Sequence, residues 1–93
     1  MHDVDNETTL VLENGKFKEF IVHKTGHGLG LDVHEDPYVM RKNYELLEKG
    51  MVITIEPGLY KDTHLGIRVE DDVLITNEGC KSLTSFDRDL RVI

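Results

Sequence analysis

Residues 51–60 read MVITIEPGLY and residues 65–76 read LGIRVEDDVLIT. Both are rich in β-branched side chains, which suit a pleated, half-buried surface. The first is predicted to run as a strand that ends at Pro57-Gly58. The second is predicted as one strand to Thr76, with Asn77-Glu78-Gly79 turning the chain. Residues two apart in a strand share a face. Ile53 and Ile55 therefore oppose Thr54 and Glu56. In the second stretch Ile67, Val69, Val73 and Ile75 share one face, and Arg68 and Glu70 the other. Each strand buries an apolar side and presents a carboxylate on the reverse. If the two pair, Glu56 and Glu70 converge, and two adjacent carboxylates repel unless a cation or proton sits between them.

The flanking segments build outward from these strands. Val4, Thr8, Val11 and Leu12 keep helical spacing, and Asn14-Gly15 is a stop signal, so residues 1–15 read as one amphipathic helix. FKEFIVH (17–23) is expected to enter a short strand. TGHGLGL (25–31) carries too many glycines for a helix interior. NYELLEKG (43–50) reads as a helical turn closed by Gly50, and the tail to Ile93 as one more short strand. A helix leading into a set of strands predicts an α+β arrangement with an antiparallel sheet and a flanking helix.

Composition narrows the function classes. A chain of 93 residues suits one small domain or part of a larger one. Eighteen acidic residues against eleven basic ones give a formal net charge of -7, which disfavours nucleic acid and anionic membrane as partners. Cys80 stands alone, so it forms no intramolecular disulfide and no CxxC zinc site. It is expected as a buried thiol in a reducing compartment. No charged-then-apolar leader is apparent, and no apolar run approaches the roughly 18 residues that cross a bilayer. A cytoplasmic location is the expectation.

The segment HKTGHGLGLDVHEDP (23–37) holds three histidines. His27 lies between two glycines, where backbone approaches closely and an imidazole can project into a cleft. Histidine with carboxylates suits Mn, Fe, Co or Zn, and no thiolate favours zinc. Taken singly, strand glutamates usually form a solvated face, and a lone histidine is more often structural than a ligand. Their coincidence in one short chain is what points to metal. His64 reads as surface, His2 as a disordered terminal residue, and Tyr38, Tyr44 and Tyr60 as packing or rim residues.

In this order, HKTGHGLGLDVHEDP, MVITIEPGLY and GIRVEDDVLIT resemble the carboxyl-terminal half of the pita-bread metallopeptidases. These are Xaa-Pro dipeptidase (prolidase), aminopeptidase P and methionine aminopeptidase. The resemblance covers nearly the whole chain, opening helix included. It implies half of a pita-bread fold and hydrolysis of the peptide bond before proline by a water shared between two divalent metal ions, Mn favoured over Co, Fe or Zn. It implies His27, Glu56 and Glu70 as metal ligands, with Glu56 also the general base. His34 is implied in substrate contact and oxyanion stabilisation, His23 as an active-site histidine of the proline-specific branch, and Arg68 as that branch's arginine. Arg68 and DVHEDP favour the Xaa-Pro side over a methionine aminopeptidase.

The family's site has five protein ligands, two of them aspartates on an upstream hairpin. Asp3, Asp5 and Glu7 fall in the predicted helix and are poor substitutes. The expectation is that residues 1–93 form the carboxyl-terminal portion of a catalytic domain whose aspartate-bearing amino-terminal half is absent. Such a piece would hold one metal or none and be inactive alone. It would also expose apolar sheet surface, by which it would meet the missing half or a second copy of itself. The competing reading is a non-catalytic module that binds peptides or proteins on the same fold.

Overall fold

The computed structural model describes residues 1–22 and 24–93; His23 lies outside the described residues. Helix α1 (His2–Glu13) leads through a short 3-10 turn (Lys18–Phe20) into seven strands. These are β1 (Gly26–Gly28), β2 (Glu35–Val39), β3 (Val52–Ile55), β4 (Gly58–Lys61), β5 (Leu65–Arg68), β6 (Asp71–Thr76) and β7 (Gly79–Ser82). One sheet runs in the order β2-β1-β3-β6-β7, with every pairing antiparallel, and β4 and β5 form a separate two-stranded hairpin. The predicted α+β class and antiparallel sheet with one helix are present.

The two long predicted strands each break in two, at a shared corner. β3 ends at Ile55, before Pro57, which has no amide donor for a ladder. Gly58 opens β4 rather than closing the previous strand. On the facing arm, β5 ends at Arg68 and β6 begins at Asp71. Pairing resumes on both sides, with Ile55 opposite Asp71 and Gly58 opposite Arg68. The Val69 amide donates to the Pro57 carbonyl inside the corner. The single apolar face predicted for Ile67, Val69, Val73 and Ile75 therefore does not exist. Val73 and Ile75 pack against the core, while Ile67 and Val69 are exposed.

The core is small: Met1, Val39 and Ile53 are buried, with Val4, Leu47, Met51, Ile55, Val73 and Ile75 packed around them. α1 reaches it through its first turn. Val4 lies in the core as predicted, but Val11 is exposed and the buried polar position of the helix is Asp5. The glycines around His27 make a strand rather than a loose loop. A Cβ at Gly26 would overlap the Thr54 carbonyl, and one at Gly28 the Asp36 carbonyl, so both neighbours close in only because glycine is there. Pro37 is accommodated in β2 because that strand is an edge.

Four other expectations are corrected. Residues 17–23 form no regular strand in their described part; the 3-10 turn occupies them, and Ile21 makes one bridge to Leu59. Residues 43–48 are not helical, because Asn43 takes the local backbone elsewhere: its Nδ2 donates to the Tyr38 carbonyl and its Oδ1 accepts from the Glu45 amide. Gly50 follows at φ 92°, in the left-handed region, and its amide donates to the Ile75 carbonyl. Cys80 is exposed on edge strand β7, since no layer covers that face. His2 is ordered in α1, its ring stacked on Tyr44 with centroids 4.6 Å apart. The predicted tail strand is β7. Among the described residues no helix is long and apolar enough to cross a membrane.

Candidate active site and metal centre

His27 projects from the middle of β1, and Glu56 follows directly on β3. Their side chains are each 12% exposed, and Nε2 of His27 lies 2.7 Å from Oε1 of Glu56. The other ring nitrogen, Nδ1, is 2.8 Å from the Gly28 carbonyl oxygen. A carbonyl only accepts, so Nδ1 carries the hydrogen and donates it. Nε2 then turns its lone pair on a carboxylate oxygen, an arrangement that is favourable only with a proton or another cation shared between the two atoms. A ring nitrogen tied to a backbone carbonyl while its partner faces a cation is the usual arrangement of a metal-binding histidine.

Two threonines fix the backbone of this pair. The Thr54 hydroxyl accepts from the His27 amide at 3.1 Å and donates to Oε1 of Glu56 at 2.8 Å. The Glu56 amide donates to the Thr25 carbonyl at 2.7 Å, and the Thr25 hydroxyl donates to Oδ1 of buried Asp5 at 2.6 Å. α1 is thereby joined through β1 to the Glu56 corner. Arg68 stands on the other side. Its Nε is 3.5 Å from Oε2 of Glu56 and its Nη2 3.4 Å from Oε2 of Glu70. Arg68 thus sits between the two corner glutamates and offsets their repulsion.

His34, from the loop between β1 and β2, tilts against His27 with ring centroids 4.3 Å apart. A cavity of about 760 Å³ opens beside the pair, lined among others by Asp5, Lys24, His34, Tyr38 and Arg41. A second groove, about 420 Å³, is lined by Glu70 and Asp72; His27, His34, Glu56 and Arg68 border both. Tyr38 is a rim residue, with the Lys24 ammonium 4.8 Å from its ring centre. His64 is exposed and pairs with Asp62, as a surface histidine should.

Of the residues singled out from sequence, His27, His34, Glu56 and Arg68 therefore meet. Glu70 reaches Arg68 but not the His27–Glu56 pair, and no group of three or more His, Cys, Asp or Glu side chains gathers to hold a metal among the described residues. His23 falls outside them. The imidazole and carboxylate pair fits a divalent cation in donor type and in its second-sphere bond to Gly28. Sequence reading missed Thr25, Asp5 and the role of Thr54. Only Thr54 left a signal, because it shares a strand face with Glu56.

Comparison with known proteins bears on the family and the fold. The family model described as metallopeptidase family M24 matches residues 1–77. An uncharacterized peptidase of Staphylococcus aureus (strain MW2) is 44% identical over 88 residues, which are 95% of this chain and 25% of that protein. Among solved structures, a recombinant prolidase from Thermococcus sibiricus superposes with a TM-score of 0.88 at 43% identity, covering 96% of this chain and 24% of that one. An Xaa-Pro dipeptidase from Bacillus anthracis superposes at 0.92 with 35% identity, covering 99% and 26%. The chain spans about a quarter of the length of the curated relatives it matches.

Proposed function

This chain belongs to metallopeptidase family M24, and on that premise we propose that it works as the carboxyl-terminal portion of an Xaa-Pro dipeptidase or aminopeptidase catalytic domain. The reaction is hydrolysis of the peptide bond before proline. The observation that carries the proposal is the contact between Nε2 of His27 and Oε1 of Glu56, in a chain 43% identical to a solved prolidase over the part it covers. His27 and Glu56 would hold a divalent cation, with Glu70 as the third ligand from this chain. Two aspartates would come from an amino-terminal half of the domain. When bound, the metal supplies Lewis acidity and a water made nucleophilic at neutral pH; manganese is the favoured ion.

The chain's own groups divide the remaining work. Oε2 of Glu56 is the oxygen engaged by neither His27 nor Thr54, and it takes the proton of the attacking water. Arg68 holds the two glutamates in place and keeps Oε2 oriented. An imidazole N–H of His34 donates to the carbonyl oxygen as charge develops on it, with His23 assigned to the same substrate face by its motif. Burial of His27 and Glu56 limits competing water and strengthens these interactions.

The test is hydrolysis of a Met-Pro dipeptide with and without Mn²⁺, by the 93-residue chain alone and combined with the aspartate-bearing half of a prolidase. Manganese-dependent turnover in the combined sample, lost on Glu56→Gln, is the expected result. A combined sample that folds and binds manganese yet leaves Met-Pro intact sinks the proposal. Selective peptide binding that survives chelation would replace it with the non-catalytic module.

A further inference from the structure

We propose that Thr54 is a positioning residue whose hydroxyl sets the spacing between His27 and Glu56. Three observations meet there. Thr54 is 2% exposed, and beside Ile53 and Val39 it is the polar member of the three largest fully buried side chains among the described residues. A polar group stays in such a place when its hydrogen bonds are made, and both of its bonds go to the site. It accepts from the backbone of His27 and donates to the side chain of Glu56.

The second observation is a gap in the ladder between the strands that carry the two residues. β1 and β3 share one register pair, Gly28 opposite Ile53, flanked by backbone bonds from Leu29 to Val52 and from Glu56 to Thr25. Toward the site, the amide of His27 has the Thr54 hydroxyl as its acceptor instead of a carbonyl across the ladder. The hydroxyl therefore does what regular strand pairing does elsewhere, and adds a bond to the carboxylate that no ladder supplies. Third, Gly26 lies so close to Thr54 that an added Cβ would meet its carbonyl and its hydroxyl. The strand carrying His27 is seated on Thr54 at zero clearance.

The inference rests on the proposed reading only for its consequence. If the pair binds metal, losing the hydroxyl loosens the ligand spacing. Removing such outer partners typically weakens metal affinity about 10–100-fold.

Thr54→Val keeps shape and removes the hydroxyl; Thr54→Ser keeps the hydroxyl and loses a methyl. The expected result is Co²⁺ binding weaker by about 10–100-fold in Thr54→Val and within about threefold of wild type in Thr54→Ser. The second readout needs no metal: the long-range ¹H–¹⁵N signals of the His27 ring should shift or broaden in Thr54→Val and return in Thr54→Ser. Should Thr54→Val fail to fold, Thr54→Ala takes its place in both measurements. Equal Co²⁺ affinity and superimposable His27 signals in wild type and Thr54→Val overturn the proposal, as does a Thr54→Ser variant as impaired as Thr54→Val. A wild-type chain that takes up no Co²⁺ by itself leaves the ring signals to decide Thr54, and unchanged signals in Thr54→Val then overturn the proposal.

Discussion

β3 and β5 are both four-residue strands rich in aliphatic side chains, and they end differently. In β3, Ile53 is 1% exposed and packs with Val39 and Met1; in β5, Leu65 and Ile67 are 63% and 64% exposed. The strands belong to the two arms of one bent ribbon, on opposite sides of the Glu56–Glu70 corner. One side of the corner has a helix and a five-stranded sheet to bury against, and the other has its own hairpin partner and the bridge from Ile21 to Leu59. Aliphatic content therefore states what a strand can bury, and the neighbouring layer decides what it does bury. The site sits where these regimes meet, with His27 and Glu56 on the covered side and Arg68 and Glu70 toward the open one.

Substitutions can break this contrast. Ile53→Ala should be the most damaging, costing about 2–5 kcal/mol by chemical denaturation, whereas Ile67→Ala should stay within about 0.5 kcal/mol. Equal losses would mean that β5 is covered in solution. Gly26→Ala should follow at about 1–3 kcal/mol, because the Thr54 backbone cannot yield to a methyl group. Asp5→Ala leaves the buried Thr25 hydroxyl without its acceptor and should cost about 1–2 kcal/mol. A thermal melt showing no loss would detach the helix from the site. Arg68→Ala comes next, at about 0.2–1 kcal/mol, since that guanidinium is half exposed. Its diagnostic effect lies elsewhere: with the cation gone, the two glutamates repel, so added Mn²⁺ should raise the melting temperature of this variant more than that of wild type.

The meeting of His27, Glu56 and Arg68 was legible before the fold was. Glycines on either side of His27, a glutamate before Pro57 and an arginine two residues before Glu70 are local signals, and local signals survive in sequence. The α+β class was legible for the same reason, through the spacing of Val4 and Thr8 and the β-branched runs. The corner was not. Val69-Glu70 carries no proline or glycine, so nothing there announces the end of β5; the break is imposed by Pro57 on the facing arm, a cause that lies on another segment. Asp5 was hidden likewise, since an acid in a first helical turn normally faces water, and the Thr25 hydroxyl that meets it in the interior lies on another segment. Residues 43–48 misled because their composition favours helix, while Asn43 spends its side chain on the backbone of Tyr38 and Glu45.

The paired corner also has a bearing on how the chain assembles. Lys61 faces Leu65, Gly58 faces Arg68, Ile55 faces Asp71 and Val52 faces Leu74, a nested series closed by one tight turn. Each pair encloses only a slightly longer loop than the one inside it, and closure entropy grows merely with the logarithm of loop length. Zippering outward from the turn therefore brings Glu56 and Glu70 near each other cheaply, as a by-product of hairpin growth. His27 comes from a different hairpin, so Arg68, on the same ribbon as the two carboxylates, is the cation nearest to hand as they approach.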